Sequence, residues 1–307
     1  MFQVFIDGSA GTTGLRIREM LEKRQDVSLI TLPESLRKDV SARKDALNSA
    51  DVAFLCLPDD AAREAAALVE NKDTVVIDAS TAHRTHPEWA YGFPELSAQH
   101  RARIRSGKRI ANPGCYASGF IALVYPLISA GVGAPDYPFV CHAVSGYSGA
   151  GKKGIAEYEA ADRPAGYDTP RLYALSLMHK HLPEMKEVCG LARTPVFNPY
   201  VCDYYCGMTV SVPLFVDLMK MPLGAEQLEE LYRAHYAGQR FVWVGKEPSG
   251  YVSANTLNGT NGLEILVNGN TERILLTARL DNLGKGASGA AIQNMNLALG
   301  LDEGVSL

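Results

Sequence analysis

Four short apolar runs, Phe2–Asp7, Val27–Leu32, Val52–Leu57 and Val75–Ile77, recur at intervals of 23 to 25 residues in the first eighty positions, with helical patterns beginning near Gly14 and Ala61. The runs are continuous rather than alternating. Strands of that kind are buried on both faces, so the rhythm predicts βαβ units and a doubly wound parallel sheet. Past residue 135 the texture changes. Phe139–Ser145, Met208–Phe215, Phe241–Val244, Leu263–Val267 and Ile274–Leu280 read as longer strands, with helices over Gly154–Ala161, Pro183–Val188 and Ala225–Tyr236. Strands that follow one another with few helices between them predict an α+β unit with a largely antiparallel sheet. The expected fold is therefore α/β: a doubly wound, Rossmann-like domain over 1–115, completed by a C-terminal helix within 284–307, and an α+β domain over 116–283.

Composition narrows the partners. The chain has 307 residues, 47% hydrophobic and 21% charged, which is globular. Its 30 Lys+Arg against 34 Asp+Glu give a net charge of -4 without a block of like charge, which speaks against a nucleic-acid or anionic-membrane surface and for a small-molecule partner. The uncharged stretch 110–135 is broken by Pro113, Gly114, Pro126, Gly131 and Gly133, so it reads as a buried helix rather than a membrane span. Six irregularly spaced Cys without an N-terminal signal pattern fit reduced thiols, and a cytoplasmic location is expected.

The first strand ends in Asp7 and runs into Gly8-Ser9-Ala10-Gly11-Thr12-Thr13-Gly14, where helical periodicity starts. A glycine turn between strand and helix lets backbone N–H groups and the helix N-terminus reach a pyrophosphate. The spacing G-x-x-G-x-x-G is a weak pattern alone, but its place after the first strand favours a nucleotide site over a plain turn. The second strand ends in Ile30-Thr31-Leu32-Pro33 without the acid that holds an NAD ribose; Ser35, Arg37 and Lys38 follow, with Glu34 among them. NADP is the preferred cofactor on these grounds.

Asn112-Pro113-Gly114-Cys115-Tyr116 precedes the apolar helix, which puts Cys115 at a helix N-terminus where a thiolate and an oxyanion are both stabilised. Cys56, Cys141 and Cys189 lie in apolar patterns and read as small core residues. A nucleophilic Cys needs a proton acceptor, and His179-Lys180-His181-Leu182-Pro183-Glu184 supplies candidates. Two His spaced by two cannot share one helical face, so one of them is expected to point into the site. Three further segments close strands and suit anions or a cofactor: Asp78–Arg84, Ser145–Lys152 and Asp281–Gly289. Cys202 and Cys206 lack a second Cys pair or a suitably spaced His arm, so no metal site is expected.

Taken together and in this order, these segments resemble the short type of N-acetyl-γ-glutamyl-phosphate reductase, related to aspartate-semialdehyde dehydrogenase. Gly114 discriminates, since semialdehyde dehydrogenases typically carry Asn before the nucleophile. The resemblance implies NADPH-dependent reduction of an acyl phosphate in arginine biosynthesis through a Cys115 thioester. It places acid/base work on His179, the first of the pair, with Glu184 orienting it. NADP(H) would be held by Gly8, Ser9, Gly11, Thr12, Thr13, Gly14, Ser35, Arg37, Ser80, Gly149 and Asn282. Arg84, Asn112, Ser148 and Lys152 would bind the acyl-phosphate substrate, and the chain would form a homodimer or homotetramer. The rivals are an aspartate-semialdehyde dehydrogenase-type reductase and a non-catalytic NADP(H) sensor.

Overall fold

The computed structural model describes residues 1–307, which form two compact units: Met1–Pro113 with Ala287–Leu307, and Gly114–Gly286. The first division falls two residues before the one drawn from sequence, so Cys115 lies just inside the second unit.

In the first unit, β1 (Phe2–Asp7), β2 (Val27–Ile30), β3 (Val52–Leu55), β4 (Val75–Asp78), β5 (Ala90–Tyr91) and β6 (Arg109–Ala111) form a parallel sheet in the order β2-β1-β3-β4-β6-β5. The period of two along β1 sends Val4 and Ile6 to one face and Phe5 to the other. The first face packs on α1 (Thr12–Leu21), α4 (Ala98–Ser106) and the chain's last helix, α9 (Gly289–Ala298), through Ile17, Leu21, Ile104, Ile292 and Met295. The second packs on α2 (Val40–Ser49) and α3 (Asp59–Ala67) through Ala46, Leu47 and Ala65. Burial on both faces is why these strands carry no polar alternation. β1 lies between β2 and β3, so the chain reverses direction across the sheet at β1, the switch point where open α/β sheets bind ligands.

α2 and α4 escape apolar periodicity because α4 buries only Ile104 and α2 only Ala46 and Leu47. Their caps mark them instead: Asp39 accepts the Ala42 N–H at 2.8 Å, and Ser97 accepts the His100 N–H at 3.2 Å.

The second unit holds α5 (Cys115–Ser129), α6 (Gly151–Glu159), α7 (Leu182–Cys189) and α8 (Ala225–His235) with β7 (Val140–Gly146), β8 (Arg171–Leu172), β9 (Val196–Cys202), β10 (Met208–Phe215), β11 (Val242–Val244), β12 (Leu263–Gly269) and β13 (Arg273–Leu280). Its sheet runs β11-β12-β13-β10-β7-β9-β8 and is mixed. Pairs β12/β13, β13/β10, β10/β7 and β9/β8 are antiparallel, whereas β11/β12 and β7/β9 are parallel. β9, not anticipated from sequence, carries Asn198-Pro199 inside an otherwise strand-like run, and the proline masks it.

α5 packs on β10 and β13 and is almost wholly buried, despite Pro126 near its end. A proline there leaves the Ala122 carbonyl without its helical donor. The Tyr236 hydroxyl supplies one at 2.8 Å, and the Tyr232 hydroxyl bonds the adjacent Leu123 carbonyl. Two tyrosines at the end of α8 thus satisfy the break in α5, and the helix that begins at Cys115 is anchored at its far end. No helix is long and apolar enough to cross a membrane.

Candidate active site

At the carboxyl end of β1 the chain turns at Gly8, which takes φ of +86° and lies so close to β3 that a Cβ there would sit 2.3 Å from the Cys56 carbonyl oxygen. Only glycine fits. The Gly11 N–H bonds the Gly8 carbonyl at 3.0 Å, and α1 starts at Thr12 with no side-chain cap, so its first N–H groups stay available to an anion. Thr13 and Gly14 complete the first turn.

Beside this loop is a cavity of about 230 Å³ lined by Asp7, Gly8, Ser9 and Ala10, by Leu29, Ile30, Thr31 and Leu32 of the second strand's end, and by Arg18, Arg37 and Lys38. Three cations on an apolar cleft next to a phosphate-type turn fit an adenosine bearing a 2′-phosphate. Glu34 and Ser35 lie in the short turn Glu34–Leu36 and do not line the cavity. The acid that argued against NADP is therefore not part of the cleft, and neither is the serine assigned to it. Arg18 escaped the sequence reading; its signal was its place on α1, one turn past Gly14. Asp7 also lines the cavity, but its carboxylate is paired with Arg43 of α2 at 2.8 Å.

The segment after β4 is organised around the fully buried Asp78. Its carboxylate accepts the Ser80 N–H and hydroxyl, both at 2.8 Å, and meets His83 Nδ1 at 2.6 Å; the His83 ring stacks on Trp89 at 3.9 Å. Arg84 is buried and donates Nε to the Asn112 carbonyl at 2.9 Å and a terminal nitrogen to the Ala79 carbonyl at 3.1 Å. The Asn112 amide donates to the Ala287 carbonyl at 2.9 Å and accepts from Asn294 at 3.1 Å. Ser80, Arg84 and Asn112 thus tie β4, β6 and α9 together in the stretch that leads to Cys115.

Cys115 is half-buried at the first position of α5, with Gly114 as an N-cap that brings no side chain. It thus sits at the positive end of a fifteen-residue helix. Glu184, buried in the first turn of α7, accepts the Gly114 N–H on Oε1 at 2.9 Å, so it holds the turn in front of the nucleophile. Gly286 closes the other side: a Cβ there would come within 2.8 Å of the Cys115 Cβ. Gly286 belongs to a glycine-rich segment noted in the sequence, but nothing in its pattern announces this approach.

His179 and His181 both precede α7 rather than lie on it, and the chain turns there through a Leu182 N–H to His179 carbonyl bond of 3.0 Å. The helical-face argument therefore fails, and both rings gather round Tyr116, at 5.9 Å and 6.1 Å between centroids. His179 Nδ1 accepts the His181 N–H at 3.1 Å, and its Nε2 meets the Tyr173 hydroxyl at 3.4 Å. Tyr116 donates its hydroxyl to the Tyr200 carbonyl at 3.2 Å. Burial holds the Tyr116 and Tyr173 phenols above their ordinary range, and the charge of a Cys115 thiolate nearby adds to both. Tyr173 escaped the sequence reading altogether.

The remaining assigned residues of this unit form one lock. Asn282 accepts the Gly207 N–H at 2.8 Å and donates to the Ser148 hydroxyl at 2.9 Å, all of it buried. Gly149 and Lys152, by contrast, are exposed at the start of α6. Among the other thiols, burial pushes Cys141 and Cys189 up, and burial with the Asp78 and Asp7 carboxylates pushes Cys56 up to about 12.

The fold and the site together define a class. Residues 3–104 match the semialdehyde dehydrogenase NAD binding domain, and residues 115–282 match the semialdehyde dehydrogenase dimerisation domain. In structure the chain resembles aspartate semialdehyde dehydrogenase II from Vibrio cholerae, with a TM-score of 0.75 over 97% of this chain and 98% of that one, at 19% identity, which speaks for the fold. In sequence it is 48% identical to N-acetyl-gamma-glutamyl-phosphate reductase 2 of Pseudomonas putida over 97% of this chain and 96% of that one, and 46% identical to N-acetyl-gamma-glutamyl-phosphate reductase of Trichormus variabilis over 99% of both. A further reductase of this name, from Brucella ovis, is 47% identical over 97% of this chain and 99% of the relative. The chain belongs to the N-acetyl-γ-glutamyl-phosphate reductase family of the semialdehyde dehydrogenases.

Proposed function

We propose that the chain reduces N-acetyl-γ-glutamyl phosphate to N-acetyl-L-glutamate 5-semialdehyde and phosphate with NADPH, a step of arginine biosynthesis. The observation that carries the reading is the half-buried Cys115 at the capless start of α5, with a buried carboxylate holding its turn and two imidazoles around its neighbour Tyr116. The near-full-length relatives of that name support it.

The Cys115 Sγ attacks the acyl carbon; a C–S bond forms, the C–O bond to phosphate breaks, and a thioester remains. The oxyanion of that step lies where the first N–H groups of α5 point. His179 is the acid and base that exchanges the thiol proton. Bound NADPH would supply hydride to the thioester carbon. The resulting thiohemiacetal collapses by breaking C–S, which frees the aldehyde and returns the thiolate. Gly8, Ser9, Gly11, Thr12, Thr13 and Gly14 hold the cofactor's pyrophosphate, and Arg18, Arg37 and Lys38 its 2′-phosphate. Lys152 meets the substrate's anionic groups, while Arg84, Asn112, Ser148, Ser80 and Asn282 act through the buried bonds described above.

A homodimer or homotetramer is part of the reading. The dimerisation-domain match supports it, as do Val196, Phe215 and Leu275, exposed on β9, β10 and β13. The protein is expected in the cytoplasm.

The test is NADPH oxidation on N-acetyl-γ-glutamyl phosphate and on aspartyl phosphate side by side, with Cys115→Ser as control. Turnover on the acetylated substrate by the wild type alone supports the reading. Preference for aspartyl phosphate refutes the substrate assignment in favour of an aspartate-semialdehyde dehydrogenase. NADPH binding without turnover on either marks a sensor.

A further inference from the structure

Three Asn-Gly pairs fall in one stretch of the chain: Asn258-Gly259, Asn261-Gly262 and Asn268-Gly269. In such a pair the glycine nitrogen, unhindered by a Cβ, can attack the amide carbon of the asparagine before it. Whether it does so depends on what holds that glycine N–H. At the first pair the Gly259 N–H donates to the carboxylate of the fully buried Asp281 at 2.7 Å. At the second the Gly262 N–H donates to the Thr260 hydroxyl at 3.2 Å, and Asn261 is itself buried.

The third pair is different. Asn268 and Gly269 are exposed at the end of β12. Along β12 alternate residues turn their main-chain groups away from β13. Leu263 is one of these, its N–H donating to the Phe241 carbonyl at 2.8 Å, and Ile265 is the next, its carbonyl accepting the Gly245 N–H at 2.9 Å. Gly269 has the same parity. At the hairpin end the Asn270 N–H donates to the Arg273 carbonyl at 2.9 Å, which leaves Gly269 and Ile274 as a pair that exchanges no ladder bonds. β11 pairs with β12 only as far as Ile265, so the Gly269 N–H points out from an open sheet edge. The fold also forbids any other residue there: φ is +142°, and a Cβ would lie 2.3 Å from the Arg273 carbonyl oxygen. The hairpin thus demands the glycine that makes Asn268 labile, and shields neither partner of the attack.

We propose that Asn268 is a site of spontaneous deamidation, the one Asn-Gly pair that the fold leaves open. The Gly269 nitrogen gives up its proton to solvent and bonds to Asn268 Cγ; the Cγ–Nδ2 bond breaks, and the amide nitrogen leaves as ammonia. Water then opens the resulting succinimide. Breaking its bond from nitrogen to Cγ gives an aspartate, and breaking its bond to the main-chain carbonyl carbon gives an isoaspartate. Either product adds one carboxylate to a chain of net charge -4. Asn268 pairs with Leu275 across the strands, so the new charge lies on the sheet face that carries that exposed side chain. The isoaspartate also inserts a carbon into the main chain of β12 beside its closing pair. None of this depends on the reductase reading.

The test compares the folded full-length protein with the same protein unfolded in urea, both incubated in mildly alkaline buffer. Fragment-ion sequencing of the tryptic peptide 247–273, which contains all three pairs, follows each conversion. In urea the three are expected to convert at similar rates, because their local chemistry is the same. In the folded protein Asn268 converts first, and Asn258 about tenfold or more slowly, since a charge-assisted bond must break before its glycine nitrogen can attack. Isoelectric focusing shows an acidic band that grows in the wild type and is missing from Asn268→Gln over the same interval. Conversion of Asn258 or Asn261 in the folded protein as early as Asn268 overturns the proposal. An acidic band that grows in Asn268→Gln at the wild-type rate overturns it as well.

Discussion

Gly286→Ala tests whether the position of the nucleophile is set by close packing. The added Cβ would lie 2.8 Å from the Cys115 Cβ, 3.2 Å from the Cys115 Cα and 3.2 Å from the Asp281 carbonyl oxygen. Carbon atoms in contact settle at about 3.5–4.0 Å, so something must give by about 0.7 Å or more. Asp281 resists on one side, because its carboxylate is fixed by the Gly259 and Leu283 N–H groups at 2.7 Å and 2.8 Å. Cys115 sits at a helix start whose first bonds are backbone bonds, so the softer response is a shift of Cys115 itself. Overpacking of this kind costs about 1–3 kcal/mol, or a fall in Tm of about 2–10 °C for a chain of this size. A misplacement approaching 1 Å at the reacting atom costs up to about 100-fold in rate. The expected result is a kcat lowered by about 10- to 100-fold and slower alkylation of Cys115 by iodoacetamide, with NADPH affinity retained as a check that the first unit is intact. A kcat within twofold of wild type together with unchanged alkylation would refute the reasoning.

Charge reversal at the cofactor cleft, Arg37→Glu with Lys38→Glu, should raise KM for NADPH by about tenfold or more and leave KM for NADH within threefold, each exposed charge-assisted contact supplying about 1 kcal/mol; steady-state kinetics with both cofactors decides it, and equal losses would sink the assignment. Glu184→Gln keeps an acceptor for the Gly114 N–H and should retain at least a tenth of wild-type kcat, whereas Glu184→Ala strands that N–H in the interior and should lose about 1.5–3 kcal/mol of stability by urea unfolding; a Gln variant as damaged as the Ala variant would mean that the charge matters and the hydrogen bond does not. At pH 8 Cys56, with its ionisation near 12, has about one thiolate in ten thousand, so short iodoacetamide treatment followed by peptide mapping should label Cys115 and leave Cys56, Cys141 and Cys189 unmodified. Labelling of Cys56 should emerge only as pH rises towards 12, and early labelling there would contradict its burial between two carboxylates.

The strands of the first unit were legible because burial on both faces leaves an uninterrupted apolar run, and Met208–Phe215 was legible to the residue between Gly207 and the short turn Val216–Leu218. α2 and α4 were illegible to periodicity because they bury so little, although Asp39 and Ser97 announced them as caps. At the site, position was legible where a motif fixed it: Cys115 lies at its helix start, and His179 lies beside the ring of Tyr116. What depends on the path of the backbone did not. Treating His179 and His181 as helical residues separated two rings that an irregular turn brings within 4.7 Å of each other. Tyr173 carried no signal, because its meaning comes from β8 and β9 pairing next to it, and short edge strands have no sequence period to detect.

The buried polar residues of the motif segments share one property that sequence could not supply. Asn112, Ser148, Asn282, Ser80 and Arg84 each direct their side chains to other protein groups, two of them to backbone carbonyls of neighbouring loops. A polar group held this way in the interior cannot be removed without stranding its partner, so such residues are fixed as strictly as any that touches a ligand. The division is physical. Flexible or exposed groups, such as Lys152, Arg37 and Lys38, can reorganise round an anion, whereas the buried amides hold the turns from which backbone N–H groups reach it. On the proposed reading, binding therefore falls largely to main chain and rim cations, with the buried motif side chains one step removed, making the loops rigid enough for a single thiol to be aimed.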